Sequence, residues 1–332
     1  AELEKNWAEY CGVKHALAVN SGTAAIHCAL YAAGVKEGDE VITTPYSFIA
    51  TINPILMLGA RPVLVDIDEE TFNIDVSKIE AAITEKTKAI VPVDLYGQPC
   101  DWAELQEIAK KHDLKIIEDA CQAIGAEYKG IKAGALGDFG CFSLYATKNI
   151  MCGEGGIVTT NSDEASAAIR SFRQHGMVAP YEYADLGYNY RMSDLHGAIA
   201  VEQLRKVDRF TAQRQRNASL LNEALAGVKG IELPRVADNR SHVYHQYTIL
   251  LDEGISRDEF VTKLREKGVG AGVYYPKPLH AYPHIAKLGY EAGDFPVAED
   301  LAARVVSLPV HPKVTDEDIE IIAAAVKESV NG

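Results

Sequence analysis

Short runs of aliphatic and β-branched residues alternate with amphipathic segments through the first two thirds of the chain. Each run ends in a polar turn, and apolar positions at helical spacing follow. The predicted strand and helix pairs are 16–19 with 21–33, 40–43 with 47–58, 62–65 with 76–83, and 89–93 with 102–111, and a further strand is 114–117. This alternation predicts a mostly parallel sheet with helices on both faces. Continuous apolar runs fit such a sheet because its strands are buried on two sides.

The pattern changes after two further strands, 139–144 and 156–160, which a glycine-rich loop separates. Helical spacing dominates residues 193–226, where the charged stretch 203–216 is typical of a long solvated helix. After Gly230 the predicted elements are a strand at 243–251, a helix at 257–267, a strand at 270–275 and a terminal helix at 316–330. The sequence therefore predicts a large α/β domain, residues 1–213, and a smaller α+β domain, residues 214–332.

Composition and charge narrow the class of protein. Hydrophobic residues make up 47% and charged residues 24% of the 332 residues, so the chain can bury a full core. Lys and Arg total 33 against 47 Asp and Glu, and the net charge of −14 makes nucleic acid an unfavourable partner. No apolar run reaches the roughly 18 residues of a membrane span, and residues 1–10 carry acids where a signal peptide needs a basic start. We therefore expect a cytoplasmic enzyme that binds neither nucleic acid nor a membrane.

The cysteines and histidines show no spacing typical of a metal site. The six cysteines include no C-x-x-C pair, and most of them have apolar neighbours. That distribution is typical of reduced thiols in a cytoplasm. The sequence therefore predicts no metal site and no disulfide framework.

The first candidate site is the segment 20–25, where a strand ends and a helix begins at once. Ser21 or Gly22 would cap this helix. The free N–H groups of its first turn and the helix dipole favour an anion such as a phosphate. An ordinary helix cap is the commoner explanation when this segment is taken alone.

Two further candidates follow apolar strands. Glu118 and Asp119 end the run 116–119, at the sheet edge where ligands bind in open α/β sheets. Lys148 follows another strand and precedes the glycine-rich segment 153–156. Desolvation of such a lysine lowers its pKa and frees the amine to attack carbonyl groups. The ordinary alternatives are a helix cap that faces water and a surface lysine.

The order and spacing of these segments resemble the DegT/StrS family of pyridoxal-phosphate-dependent sugar aminotransferases. The matching stretches are AVNSGTAAIHCAL, GDEVITTPYSFIAT, RPVLVDID, IIEDACQAIGA, GCFSLYATKNI, GEGGIV, GYNYRMSDLHGAIAVEQL and YHQYTI. The resemblance runs from about Leu3 to the C-terminus. It implies an aspartate-aminotransferase-like large domain, the fold of pyridoxal-phosphate-dependent transferases, beside the smaller α+β domain. The opening segment that helps to form the substrate site in relatives is not among the residues from Ala1 onward.

The resemblance implies two catalytic residues. Lys148 matches the lysine that binds pyridoxal phosphate covalently as the internal aldimine. Once released, its amine can move the proton between the α-carbon of the donor and the cofactor. Asp119 matches the carboxylate that keeps the pyridine nitrogen protonated, so that the ring can accept electrons. Glu118 has the opposite strand phase and is expected to be structural.

Further residues match the positions that bind the cofactor. Phe48 matches an aromatic residue that stacks on the ring, although a core phenylalanine at a helix start is the ordinary alternative. Gln122 fits the position that faces the phenolic oxygen, where many relatives carry His. Gly22, Thr23 and Ser143 match the phosphate-binding positions, which supply backbone N–H groups and hydroxyls.

The resemblance also implies a homodimer with shared active sites. Asn189 matches an asparagine that reaches the phosphate of the neighbouring subunit's cofactor, and a turn-forming role beside Gly187 is the alternative. The resemblance implies that Tyr190 and Arg191 contact the substrate or lie at the subunit boundary. It also implies substrate contacts for Tyr274, Tyr275 and His280. For His280, capping a loop is as good an explanation as contact with the substrate.

These matches predict a two-stage transamination in deoxyamino-sugar biosynthesis, for surface polysaccharide or natural products. An amino acid, by family habit L-glutamate, donates its amine, and a keto sugar on a nucleotide diphosphate accepts it. Lys148 argues against relatives that dehydrate sugars with a histidine at this position. The lack of G-x-G-x-x-G after the first strand argues against a nicotinamide dehydrogenase. An aminohydroxybenzoate synthase and a non-enzymatic regulator that kept the fold remain as alternatives.

Overall fold

Seven strands form the main sheet of the protein, for which a computed structural model describes residues 1–331. The strands are β1 (His15–Val19), β2 (Glu40–Thr43), β3 (Arg61–Leu64), β4 (Thr87–Val91), β5 (Lys115–Asp119), β6 (Glu127–Tyr128), β7 (Ile131–Lys132), β8 (Phe139–Ser143), β9 (Gly156–Thr160), β10 (Met177–Ala179), β11 (Glu182–Tyr183), β12 (Ile231–Glu232), β13 (Tyr247–Leu251) and β14 (Val305–Leu308). The helices are α1 (Glu2–Cys11), α2 (Gly22–Ala32), α3 (Asn53–Met57), α4 (Trp102–His112), α5 (Asp163–Phe172), α6 (Asp194–Leu204), α7 (Val207–Leu225), α8 (Arg257–Glu266), α9 (Pro283–Ala286), α10 (Pro296–Arg304) and α11 (Asp316–Asn331). None of these helices within residues 1–331 combines the length and apolar character that a membrane crossing requires.

The main sheet has the strand order β1-β9-β8-β5-β4-β2-β3. Neighbours from β8 through β5, β4 and β2 to β3 pair in parallel, and β9 runs antiparallel to both β8 and β1. The prediction of an α/β fold with a mostly parallel sheet is confirmed. Because the carboxyl ends of parallel strands meet at one edge, the residues after β1, β2, β5 and β8 come together there.

Helix α2 points its N-terminus at this edge. Eight of its 11 residues are buried, as is typical of a helix that is apolar around most of its circumference. Ser21 is its N-cap, and the Ser21 hydroxyl accepts a hydrogen bond from the Ala24 N–H at 3.1 Å. The helix follows β1 after two residues, so its first turn lies at the carboxyl edge of the sheet.

Two predicted helices of the large domain are shorter than expected. The segment 47–58 holds a 3₁₀ turn, Ile49–Thr51, followed by α3. Pro54 explains the break, because proline has no N–H to continue a helix and favours the first turn of a new one. The segment 76–83 holds the 3₁₀ turns Val76–Lys78 and Glu80–Ala82. The chain is already extended at residue 83 because it must enter β4, so no regular helix fits there.

The predicted long helix 193–226 is divided into α6 and α7. α6 packs on a cluster that contains Trp7, whereas the buried residues Leu221 and Leu225 of α7 belong to the core of the C-terminal unit. The first residue of α7, Val207, still belongs to the α6 cluster, and the break between the two helices lets the rest of α7 reach the core of the C-terminal unit. The charged stretch is not solvated throughout, because Arg214 is only 8% exposed.

The predicted strand 270–275 is wrong. Within residues 1–331, this segment pairs with β14 only through an isolated bridge between Gly272 and Ser307. Its glycines favour irregular backbone, and the chain then turns to follow the edge of the main sheet. The strand predicted at 243–251 begins at Tyr247, so residues 243–246 form a loop.

The C-terminal unit has a three-stranded antiparallel sheet of order β12-β13-β14. Helices α7, α8 and α11 cover it, and Tyr247, Phe260 and Val326 lie fully inside its core. The predicted division between residues 213 and 214 falls inside α7 and stays a prediction. A further apolar cluster joins the two parts of the chain, and it includes Tyr46 after β2, Tyr96 after β4, and Leu279.

Candidate functional site

A cavity of about 380 Å³ lies at the carboxyl edge of the main sheet. Its walls come from the turns after β1, β2, β5 and β8, and from two loops of the C-terminal unit. The lining residues are Ser21, Gly22, Thr23, Ile26, Ser47, Phe48, Ala50, Thr51, Asp119, Cys121, Gln122, Ser143, Tyr145, Thr147, Lys148, Glu154, His245, Gln246, Tyr274 and Tyr275. The structure thus brings together nine of the thirteen predicted site residues.

One end of the cavity is the first turn of α2. Gly22 packs so closely there that an added Cβ would lie 2.8 Å from the Ser143 Cβ and 3.0 Å from the Cys121 Sγ. Gly22, Thr23 and Ser143 therefore surround one small space with backbone N–H groups and hydroxyls. This donor set and the positive end of the helix fit a phosphate.

Asp119 lies at the end of β5, buried and aimed into the cavity. Its carboxylate accepts hydrogen bonds from the Thr51 hydroxyl at 2.8 Å and from the Cys121 N–H at 3.3 Å. The Thr51 proton is used in this bond, so the Ser47 hydroxyl, 2.8 Å from the Thr51 Oγ1, is the donor in theirs. A chain of hydroxyls thus fixes one carboxylate oxygen of Asp119.

Glu118 faces the opposite side of β5, as its strand phase predicts. Its carboxyl group is fully buried and accepts hydrogen bonds from the N–H groups of Gly134 at 2.7 Å and Leu136 at 3.3 Å. Asp94 lies beside it, and burial raises the pKa of both groups, to about 6 for Asp94. Two buried carboxyl groups in contact keep a proton, which is a structural role.

Lys148 lies in the loop after β8 and is half-buried. Burial lowers the pKa of its amine, and the nearby Cys121 thiol and Asp119 carboxylate oppose this shift. A lysine that loses its proton more readily is a better nucleophile toward an aldehyde. Lys148 is therefore not an ordinary surface lysine, and its nitrogen shares a cavity with the buried carboxylate of Asp119.

Phe48 and Gln122 form further parts of the wall. Phe48 is 55% exposed, so the alternative of a core phenylalanine is wrong, and its ring centroid lies 6.2 Å from that of Tyr275. The Gln122 carbonyl accepts a hydrogen bond from the Tyr96 N–H at 2.9 Å. Its amide nitrogen donates to the Tyr275 hydroxyl at 3.0 Å, so the Gln122 side chain has a fixed orientation.

Tyr274 and Tyr275 reach the cavity because two buried tyrosines hold their backbone. The Tyr46 hydroxyl accepts a hydrogen bond from the Tyr275 N–H at 2.8 Å, and the Tyr96 hydroxyl donates to the Tyr274 carbonyl. His280, five residues further on, does not line the cavity. It is 2% exposed, and its Nε2 lies 3.0 Å from the Glu299 carboxylate, as the loop-capping alternative expects.

Asn189, Tyr190 and Arg191 also lie outside the cavity of their own chain. Asn189 and Arg191 are exposed, and the Tyr190 hydroxyl lies 3.0 Å from the His27 Nδ1. Large apolar side chains are exposed along the same part of the chain, namely Val178, Tyr181, Tyr183, Leu186, Leu195 and Ile199. These three positions therefore lie beside an apolar surface that faces outward.

His245 is a lining residue that the sequence did not predict. Asn149 uses its amide nitrogen on the Val243 carbonyl at 3.1 Å, so its oxygen accepts from the His245 Nδ1 at 3.1 Å. The His245 Nε2 then carries a lone pair. Burial and the positive charges of Lys148 and Arg214 lower the pKa of His245 well below its usual value. The sequence predicts a strand through residue 245. A position inside a strand gives no reason to expect its side chain at a cavity.

The comparisons with known proteins agree with this arrangement. A model of the DegT/DnrJ/EryC1/StrS aminotransferase family matches residues 1–327. The GDP-perosamine synthase of Caulobacter vibrioides is 42% identical, over 98% of this chain and 89% of its own. The structure of DesV from S. venezuelae, in complex with a ketimine intermediate, superposes with a TM-score of 0.96 at 36% identity, over 99% of this chain and 88% of that chain.

A second similar structure contains pyridoxal phosphate. It is the PLP-form of Spr1654, a sugar aminotransferase of Streptococcus pneumoniae, with a TM-score of 0.93 and 29% identity. The alignment covers 99% of this chain and 90% of that chain.

Proposed function

Because the chain belongs to the DegT/DnrJ/EryC1/StrS aminotransferase family and is a pyridoxal-phosphate-dependent transaminase, we propose that it moves an amine from an amino acid to a keto sugar on a nucleotide diphosphate. The observation that carries this proposal is one cavity that holds Lys148, Asp119 and the Gly22 turn. The sugar aminotransferase and perosamine synthase among its relatives support a nucleotide-sugar acceptor. The donor that we propose is L-glutamate.

We assign the phosphate of the cofactor to the first turn of α2, with the Ser143 hydroxyl as a further donor. The tight contact between Gly22 and Ser143 supports this assignment, because it brings the first turn of α2 and the Ser143 hydroxyl to the same part of the cavity. We assign the face of the ring to Phe48 and its phenolic edge to Gln122. Both side chains line the same cavity as the helix turn.

Lys148 and Asp119 carry the chemistry in this proposal. When bound, pyridoxal phosphate supplies an aldehyde for the Lys148 amine and a ring that accepts electrons. The released Lys148 amine would take the proton from the donor α-carbon and return it to the carbon that carried the cofactor aldehyde. Asp119 would hold a proton at the ring nitrogen, and Thr51 keeps the Asp119 carboxylate in place. Burial lowers the pKa of Lys148, which supports its role as a base.

We propose further that two subunits share their active sites. Asn189 is exposed and does not line the cavity of its own chain, so it is free to serve a neighbour. The exposed apolar side chains at positions 178–199 flank it along the chain and would be covered in a symmetric dimer. Tyr190 and Arg191 would then lie at the subunit boundary.

The proposal is tested with purified protein, added pyridoxal phosphate, L-glutamate and a panel of keto nucleotide sugars. We expect one acceptor to yield an amino sugar in a one-to-one ratio with 2-oxoglutarate, with ping-pong kinetics. L-Glutamine and L-alanine in place of L-glutamate measure the donor preference. No amine transfer to any sugar, from protein that binds the cofactor, would contradict the proposed function.

A further inference from the structure

A second cavity of about 590 Å³ adjoins the candidate site. His245, Gln246 and Tyr274 line both cavities, and Arg214 of α7 together with the glycine-rich segment 268–272 lines only the second. We name it the Arg214 cleft. The proposed function assigns no ligand to this cleft. A ligand bound there would lie next to residues that also line the cavity of Lys148.

Arg214 is a buried cation without an anion. Its side chain is only 8% exposed, its Nη1 donates to the Tyr244 carbonyl at 2.9 Å, and its Nε is buried without a partner. It forms no salt bridge within the part of the chain that the structure describes. Burial lowers the pKa of its guanidinium to about 10. A buried, uncompensated guanidinium is costly, and a carboxylate is its geometric complement.

The charges around the cleft favour an anion with a single negative charge. The one acidic side chain in its described lining is Asp318, which accepts hydrogen bonds from the Thr315 N–H and hydroxyl at 2.9 Å each and so caps α11. His245 stays neutral for the reasons given above. Asp318 is engaged in this cap, and the single guanidinium of Arg214 matches one carboxylate group but cannot balance a diphosphate.

The cleft also has room beside Arg214. An added Cβ at Gly270 would meet no atom within 4 Å, so the wall there borders open space. His245 lines both cavities, so it borders the Arg214 cleft on one side and the cavity that holds Lys148 on the other. A molecule that carries an amine and a distant carboxylate could therefore lie along His245 and interact with both.

We propose that the Arg214 cleft binds the second carboxylate of a dicarboxylic amino-acid donor while the donor amine lies at Lys148. This inference rests on the proposed function and assigns a residue to the recognition of its dicarboxylic donor. The recognition of the donor is then separate from that of the sugar. Arg214 selects donors with two carboxylates and has no part in binding the acceptor.

The test measures the binding of glutarate to the protein without cofactor, by calorimetry, together with donor kinetics of the holoenzyme. We expect Arg214→Gln to weaken glutarate binding at least tenfold and to remove the preference for L-glutamate over L-alanine. The KM for the acceptor sugar stays unchanged. Arg216→Gln is the matched control, because Arg216 lies two residues away on α7 and pairs on the surface with Asp316.

A second variant covers the case in which Arg214→Gln does not fold. Gly270→Leu leaves Arg214 intact and fills the open space of the cleft, so it should weaken glutarate binding to a similar degree. Glutarate binding equal to that of the unmodified protein in either folded variant would overturn the inference while leaving the transaminase function in place. Failure of the proposed function itself gives a different result, which is no amine transfer from any donor.

Discussion

At the scale of single residues, the site depends on hydrogen bonds that fix individual atoms. The Ser47 hydroxyl donates to Thr51, and the Thr51 hydroxyl donates to Asp119, which leaves the Asp119 carboxylate no freedom to rotate. Gln122 is fixed in the same way between the Tyr96 N–H and the Tyr275 hydroxyl. Such groups keep their positions before any ligand arrives, which is the condition for an efficient site.

Thr51→Val tests the hydroxyl chain. The variant keeps the shape of the side chain and removes a hydrogen bond to a charged group, which contributes about 1.5–3 kcal/mol. We expect kcat to fall roughly ten- to a hundredfold with little change in the KM of the donor. Thr51→Ser is the control, since it retains the hydroxyl and should keep most of the activity. An unchanged kcat in Thr51→Val would show that Thr51 does not position Asp119 for catalysis.

At the scale of elements, the function depends on where strands end and helices begin. The candidate phosphate site exists because α2 starts two residues after β1 and because β8 ends at Ser143 beside it. The requirement for glycine at position 22 comes from this close approach, since its backbone conformation is one that any residue can adopt. The two elements therefore constrain each other at a single contact.

Gly22→Ala tests the contact between α2 and β8. The new methyl group would lie 2.8 Å from the Ser143 Cβ, so one of the two elements must shift. We expect the dissociation constant of pyridoxal phosphate to rise at least tenfold, as measured by fluorescence titration. Gly197→Ala is the control, because its Cβ would meet only Met192 Sδ at 4.0 Å in the interior of α6. Equal cofactor affinity in Gly22→Ala and the unmodified protein would contradict the assignment of the phosphate to this turn.

The sequence predicted these strand ends and the residues beside them well. Asp119, Ser143 and Lys148 follow continuous apolar runs, and the sheet brings such positions to one edge whatever the rest of the fold does. The sequence did not predict His245 or the buried state of Arg214. Both depend on how the C-terminal unit packs against the main sheet, and no local pattern of hydrophobic residues encodes a contact between distant segments.

For the same reason, only some of the residues that were expected to contact the substrate line the cavity. Tyr274 and Tyr275 reach the cavity because Tyr46 and Tyr96 hold their backbone, whereas His280 on the same segment turns into the core beside Glu299. A resemblance transfers the position of a segment along the chain. The direction of each side chain depends on tertiary contacts that only the structure supplies.

At the scale of the whole molecule, a buried pair of carboxyl groups makes stability depend on pH. Asp94 and Glu118 are fully buried, and burial raises the pKa of Asp94 to about 6 and that of Glu118 above its usual range. In the unfolded chain both groups lose their protons near pH 4. The folded protein therefore binds more protons than the unfolded chain above that pH, and the free energy of unfolding falls as the pH rises.

Glu118→Gln tests this dependence. We expect the free energy of unfolding of the unmodified protein to decrease from about pH 4 to beyond pH 6, and the variant to lose much of that slope. Urea denaturation at a series of pH values measures both. Glu37→Gln removes an exposed acid and serves as the control. The same slope in Glu118→Gln and the unmodified protein would show that the pair does not hold a proton in the fold.

The shared active site makes a prediction for mixed dimers. Lys148→Ala and Asn189→Ala subunits should each be weakly active alone at limiting cofactor. In a random mixture, half of the dimers are mixed and each of these contains one intact site, so about a quarter of the full activity should return. Activity of the mixture equal to the mean of the two variants would contradict a site built from both subunits.

The central claim is that the amine of Lys148 holds the cofactor, and one measurement tests it most directly. The protein is loaded with pyridoxal phosphate, reduced with borohydride and digested, and the labelled peptide is located by mass spectrometry. The account predicts that the label lies on Lys148 and is lost in Lys148→Ala. A label on another lysine, or no covalent label in protein that binds the cofactor, would contradict it.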